Sequence, residues 1–270
     1  LLADSASQID PADYEPPTFS PDAPSKVGEI PSIEEGIPYP FPLVTTPSEA
    51  QEVDPRSADQ LAIDVWYGDS QTFSQIGSPQ LWANILGTVT GLDPENPAHS
   101  LSYTMNGGEE QPLNIGSDQK RLYGPGDFNI ELSVANLTPL PGINEIVIKA
   151  DDGTTVVTKT VTVEYVSGTS WPMPYTADWS NMGGDVQQGA QIVDGEWLIN
   201  NGNLTLSSPG YDRLVTLGDY FWKDYEVKVP ITVRSWNVSE WEGPPSNGGG
   251  VGLVLRWRGH YQTPENEQPR

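Results

Sequence analysis

The sequence predicts an all-β protein built of antiparallel sandwiches, and three observations carry that expectation. Gly and Pro supply 27 and 26 of the 270 residues, well above their usual share of about 12 %, which implies many turns and argues against a helical bundle. Short runs alternate apolar and polar residues with period two, as half-buried strands do. Turn sequences such as Asn106-Gly107-Gly108 and Asp151-Asp152-Gly153 separate several of these runs, and such residues tolerate the positive φ that tight hairpins require.

The elements follow in order. Residues 58–167 read as strands throughout. Leu61 to Tyr67 opens the series, Trp82 to Val89 follows, and Leu101 to Met105 runs into the Asn106 turn. Phe128 to Leu132 comes next, and the last two runs, Asn144 to Ala150 and Thr154 to Tyr165, form a hairpin across Asp151-Asp152-Gly153. About seven strands in this span describe one complete sandwich, expected to fold independently and to end at the linker Val166 to Ser170. Residues 168–270 hold seven of the nine Trp, 12 acidic side chains and seven basic ones. A hairpin is expected over Ala190 to Ile199, with Asn203 to Ser207 pairing on. Long strands are expected over Tyr220 to Val233 and Val251 to Trp257, with Trp222 and Trp257 in the core.

Residues 1–57 differ from both. They contain eleven of the 26 prolines and eleven acidic residues against Lys26 and Arg56. Proline fixes φ and removes a donor, so Gly36-Ile37-Pro38-Tyr39-Pro40-Phe41-Pro42 is expected to be an extended or polyproline-like arm. Its residues 28–46 supply apolar side chains, and an extended segment of this kind can add to a sheet edge of a neighbouring copy.

Two resemblances rest on particular residues. Tyr103 to Gly108, Gly126-Asp127-Phe128-Asn129-Ile130-Glu131-Leu132 and Gly142 to Gly153 resemble bacterial immunoglobulin-like and cadherin-like repeats, which implies an immunoglobulin-like sandwich over 58–167. Asp194-Gly195-Glu196-Trp197, Gly218-Asp219-Tyr220, Asp224-Tyr225-Glu226-Val227 and Gly252 to Arg256 resemble the opening half of a concanavalin A-like lectin/glucanase (laminin G-like) jelly roll over 168–270. Such a domain needs well over 100 residues, so the sequence is expected to be cut within it. Leu1 in place of Met likewise suggests a processed or partial chain.

Charge and composition narrow the functions. A net charge of −24 leaves no basic surplus to displace counterions from phosphate, which excludes tight nucleic-acid binding. No apolar run reaches the roughly 20 residues of a membrane span. With no cysteine, disulfides, zinc-thiolate sites and a Cys nucleophile are excluded. His99 and His260 have no partner at triad or metal spacing. Glu240 and Glu242 have the i,i+2 spacing that would set both on one face of a strand, but the Glu-x-Asp-x-x-Glu strand of glucanases with the jelly-roll fold is missing, and a solvated rim is the expected role of the pair.

The candidate ligand-binding residues are Trp236, Trp241, Arg256, Arg258 and Tyr261. Indole faces stack on the C–H faces of sugars while Arg holds hydroxyls; the same loop tryptophans could equally anchor their loop by packing. Calcium is the one cofactor weighed, with Asp151, Asp152 and Asp178 as candidate ligands and Asp194 and Asp219 as further local candidates, since hard cations take carboxylate and carbonyl oxygens. The sequons at Asn136, Asn203 and Asn237 matter only in a source that glycosylates. The expected protein is secreted or on a cell surface and non-catalytic, serving adhesion, glycan binding or extracellular assembly, with a glycan, another surface protein or copies of itself as partner. Two alternatives stand beside it: the ancillary part of a glycan-active hydrolase with catalytic residues beyond 270, and a filament subunit that donates its arm as a strand.

Overall fold

Strict alternation in two neighbouring runs builds the centre of the fold. Ile143–Asp151 (β7) points Asn144, Ile146, Ile148 and Ala150 inward and leaves Ile143 and Glu145 outward. It pairs antiparallel with Val156–Tyr165 (β8), from Ile143 opposite Glu164 to Asp151 opposite Val156. The turn between them is held by its own carboxylates. Asp151 accepts from the Gly153 amide, and Asp152 accepts from Thr154 and Thr155. In a computed structural model, the residues described are 60–118, 121–208, 210, 212–234, 250–257 and 259. The arm 1–57, including 28–46, lies outside them.

Ser100–Met105 (β4) pairs with β7 on its other side and with the two-residue Gln111–Pro112 (β5). Pro112, which lacks an N–H, stands where a proline is tolerated, at a sheet edge. Ser70–Phe73 (β2) joins β8 in parallel, giving a five-stranded sheet in the order β2-β8-β7-β4-β5. This strand was not legible as one. The second sheet, β1-β3-β6, is made of Ala62–Val65 (β1), Trp82–Thr90 (β3) and Asp127–Ser133 (β6), all antiparallel.

The two sheets bury one core between them. Ile85, Phe128 and Ile130 from the three-stranded sheet meet Ile146, Ile148, Val161 and Val163 from the five-stranded one, all fully buried. Each side chain of this size contributes about 1.5–3 kcal/mol by leaving water. Asn144, also fully buried, is the polar exception. Its amide accepts from the Thr138 N–H at 2.8 Å and donates to the carbonyls of Thr138 and Val163, pinning the preceding loop to the sheet. The all-β sandwich expected from the sequence is therefore the architecture observed.

Beyond residue 168 the strands are shorter. Gln191–Asp194 (β9) pairs with Leu214–Thr216 (β12), and Trp197–Asn200 (β10) pairs with Asn203–Leu206 (β11). The expected Ala190 to Ile199 hairpin is thus corrected. Gly195 does turn the chain, with φ +85°, but the strands on its two sides go to different partners. The long strands expected over Tyr220 to Val233 and Val251 to Trp257 are not strands either. Alternation makes a segment able to pair, but a strand also needs a ladder, and none among the described residues reaches these two. Val227, Val229, Ile231 and Val233 remain exposed in consequence.

Candidate functional site

The chemistry-bearing side chains gather on the outer face of the three-stranded sheet. In β6 the inward Phe128, Ile130 and Leu132 alternate with Asp127, Asn129 and Glu131. Register sets these three opposite Thr88, Leu86 and Asn84 of β3. A face of this composition would ordinarily meet water. Here the chain after 168 covers it. Arg121, with a side chain only 1 % exposed, forks between the Asp194 carboxylate (Nε to Oδ1 2.9 Å) and Glu131 (Nη1 to Oε1 2.7 Å). Asn129 adds a donor to Asp194 at 3.3 Å. Burial works against the Arg121 charge, but the Asp194 and Glu131 carboxylates outweigh it and raise its pKa above the ordinary value.

Alongside, Arg213 donates to the Arg121 carbonyl at 3.2 Å and lies 3.8 Å from Asp127. Asp127 accepts from the Gly124 amide at 2.7 Å. Burial is the largest influence on Asp127 and raises its carboxyl above the usual range, although the Gly124 N–H and Arg213 pull the other way. Tyr67 donates to the Gly195 carbonyl at 2.7 Å and accepts from the Trp197 amide at 2.8 Å, and its burial pushes the phenol far up. Leu86 packs with Val186, Ala190 and Ile192 in a small apolar cluster beneath these groups. Residues before and after the expected boundary at 168 thus share one buried polar and apolar seam.

A second carboxylate clamps the far end of the seam. Asp219 accepts from the backbone N–H of Ser78 at 2.6 Å and of Trp171 at 2.8 Å, using both oxygens. Gly77 makes room for it: a Cβ there would stand 2.6 Å from Asp219 Oδ1 and 2.8 Å from the Trp171 nitrogen.

An aromatic run starts at the clamp. The Tyr220 amide donates to the Ser78 carbonyl at 3.0 Å, and Tyr220 and Phe221 meet edge-on at 5.5 Å between centroids while both remain exposed, Phe221 by 55 %. Trp222 lies over Gly218, where any Cβ would come within 2.6 Å of the indole. Its ring tilts toward Tyr225 at 5.8 Å, and the Tyr225 hydroxyl accepts from the Arg256 amide at 3.2 Å. Trp222 and Trp257, expected in the core, are both only half-buried; among the described residues no strand pairs with either segment to build the second sheet that the core placement requires.

Of the ligand-binding residues expected from the sequence, Arg256 is exposed beside Tyr225, while Trp236, Trp241, Arg258 and Tyr261 lie outside the described residues, as do Glu240 and Glu242. Sequence reasoning passed over Tyr225 and the exposed Phe221. The clue was the dense run Tyr220-Phe221-Trp222-Lys223-Asp224-Tyr225, read as a strand. Asp151 and Asp152 cap the β7–β8 turn, and Asp178 accepts from Ser180 and Asn181 in a different turn. Hydrogen bonds to these neighbours hold Asp152 and Asp178 below the usual carboxylate range. Among the described residues, no three His, Cys, Asp or Glu side chains come together as a metal group.

The described residues define an all-β sandwich protein. No protein-family model matches the chain, and no curated protein matches it. Two solved structures resemble it at low similarity. An endo-beta-1,4-mannanase from Thermotoga petrophila aligns over 40 % of this chain and 20 % of its own, with 11 % identity and TM-score 0.29. The human titin domain ZIg10 aligns over 46 % of this chain and 90 % of its own, with 14 % identity and TM-score 0.27. Likenesses at this level carry no argument about activity.

Proposed function

We propose that the chain is a secreted or cell-surface, non-catalytic β-sandwich protein that binds a glycan through the aromatic run Tyr220 to Tyr225 and Arg256. The observation that carries this reading is the aromatic run fixed at its root by the Asp219 clamp, with Tyr220 and Phe221 exposed, Trp222 and Tyr225 half-buried, and the backbone amide of the exposed Arg256 donating to the Tyr225 hydroxyl. Aromatic faces offer the C–H faces of a sugar a flat apolar platform, and Arg supplies up to five donors for its hydroxyls. The buried carboxylates Asp194, Asp127 and Asp219 are engaged within the seam, so binding in this reading falls to the exposed run. The immunoglobulin-like and jelly-roll readings of 58–167 and 168–270 belong to the same proposal. A glycan array probed with the intact chain tests it, followed by calorimetric titration of the best hit. Tyr225→Ala and Arg256→Ala should each weaken binding about tenfold, or roughly 1.4 kcal/mol, without moving the melting temperature. An array without hits, or variants that bind as the parent does, removes the reading.

A second reading, assembly into extracellular filaments, is favoured by one specific observation. Val227, Val229, Ile231 and Val233 are each 44–54 % exposed at every second residue, a pattern that an added strand from another copy would cover. Sedimentation velocity over a concentration series separates the two readings: growth with concentration supports assembly, and an unchanging monomer rejects it.

A further inference from the structure

A small cavity lies where the sandwich meets the chain after 168. Phe73, Ser74 and Gly77 line it on one side, and Trp171, Gln187 and Gln191 on the other. The space open to the centre of a water molecule is about 10 Å³, which is room for one. Three of these side chains are more than nine-tenths buried, with exposures of 4, 7 and 5 % for Trp171, Gln187 and Gln191. Each also carries a buried polar atom without a protein partner: Trp171 Nε1, Gln187 Oε1 and Gln191 Oε1.

The orientation of both amides is fixed by their other ends. Gln191 Nε2 donates to the Trp82 carbonyl at 2.6 Å, so its oxygen must be the free end. Gln187 Nε2 donates to Gln71 Oε1 at 3.2 Å, and Gln71 is fixed in turn by donating to the Gly68 carbonyl at 3.1 Å. Exchanging N and O in either glutamine would therefore set an acceptor against an acceptor. The unmet atoms of these lining residues are one N–H donor and two carbonyl-type acceptors.

We propose that the cavity is a binding site for a single water molecule, which accepts from Trp171 Nε1–H and donates to Gln187 Oε1 and Gln191 Oε1. Water is the small ligand whose valence matches this set. A metal cation would be repelled by the indole N–H, an anion by the two amide oxygens, and an ammonium ion has no lone pair for the indole. Three hydrogen bonds are what a buried structural water typically makes. With the water in place, an unbroken chain runs from the Gly68 carbonyl through Gln71, Gln187, the water and Gln191 to the Trp82 carbonyl. It crosses the seam and returns, so that the hydrated cavity belongs to the joint between the two parts.

A crystal structure of the intact chain at a resolution that shows ordered water tests this without any substitution. The expected result is one density peak about 2.7–3.2 Å from all three atoms, within hydrogen-bonding range. A second readout is the water cross-peak of the Trp171 indole proton in a nitrogen-15-edited rotating-frame NMR spectrum, with the resonance assigned by its loss in Trp171→Phe or by triple-resonance methods. A dipolar cross-peak to a long-lived water supports the site. An empty cavity, amides turned to bond each other, a peak at metal-ligand distances of about 2.3–2.6 Å, or an indole proton without a water cross-peak overturns it.

Discussion

Replacing Arg121 with Met keeps most of the side chain's length and removes its charge and donors. Asp194 then stays fully buried without the guanidinium that contacts both of its oxygens at 2.9 and 3.0 Å, and Glu131 loses its 2.7 Å partner. Breaking a buried ion pair by removing one member costs about 3–5 kcal/mol, because the remaining charge has neither water nor a counterion. For a folded unit of this size that corresponds to a drop of about 6–20 °C in melting temperature. Urea unfolding followed by tryptophan fluorescence reads the loss directly. The double variant Arg121→Met with Asp194→Asn removes the stranded charge as well, so it should recover much of the loss, and the cycle should return a coupling energy well above the few tenths of a kcal/mol seen for independent sites. An Arg121→Met protein within about 1 kcal/mol of the parent, the usual cost of an ordinary substitution, would refute the reasoning. So would strict additivity in the double variant.

Two further outcomes follow from individual carboxylates. Burial raises the Asp127 pKa in the folded state, so the folded chain holds its proton at pH values where the unfolded chain has lost it; this group therefore makes stability fall as pH rises from about 4 through the folded pKa, and level off above it. Asp127→Asn keeps an acceptor for the Gly124 amide and should flatten that slope in urea titrations at several pH values. Asp151, Asp152 and Asp178 serve as acceptors for turn donors, so adding calcium or a chelator should leave the melting temperature of the intact chain unchanged, and a rise with calcium would show that these turns can take up the ion.

The parts of the fold legible in the sequence are those whose instructions are local. The β7–β8 hairpin is written in alternation from Ile143 to Tyr165 and in the turn-capping Asp151 and Asp152, and β3 and β6 are equally plain. Ser70–Phe73 was missed because four residues with polar positions, paired in parallel with a strand some 90 residues away, leave no local trace. The polar face of β6 was legible as polar, and local pattern would assign it to solvent. Its cover comes from Arg121, Asp194 and Arg213, side chains distant in sequence whose meeting no spacing rule encodes. Tyr220 to Val233 is the opposite case: the alternation is clear, but among the described residues no strand pairs with it. Of the candidate site, Arg256 was named from the sequence. The exposed Phe221 and the half-buried Tyr225 were not, because alternation assigns their segment to a strand that the described residues do not form.

Native-state hydrogen exchange of the intact chain across a urea series probes most directly the seam between the sandwich and the residues after 168. Amides that open together share one free energy and one denaturant dependence. If Arg121, Asp194 and Asp219 join the two parts as described, the protected amides of β3, β6 and β9 should converge on a single opening with the full unfolding free energy. A separate, lower-energy opening that exposes β9 and β12 while β3 and β6 remain protected would contradict the account.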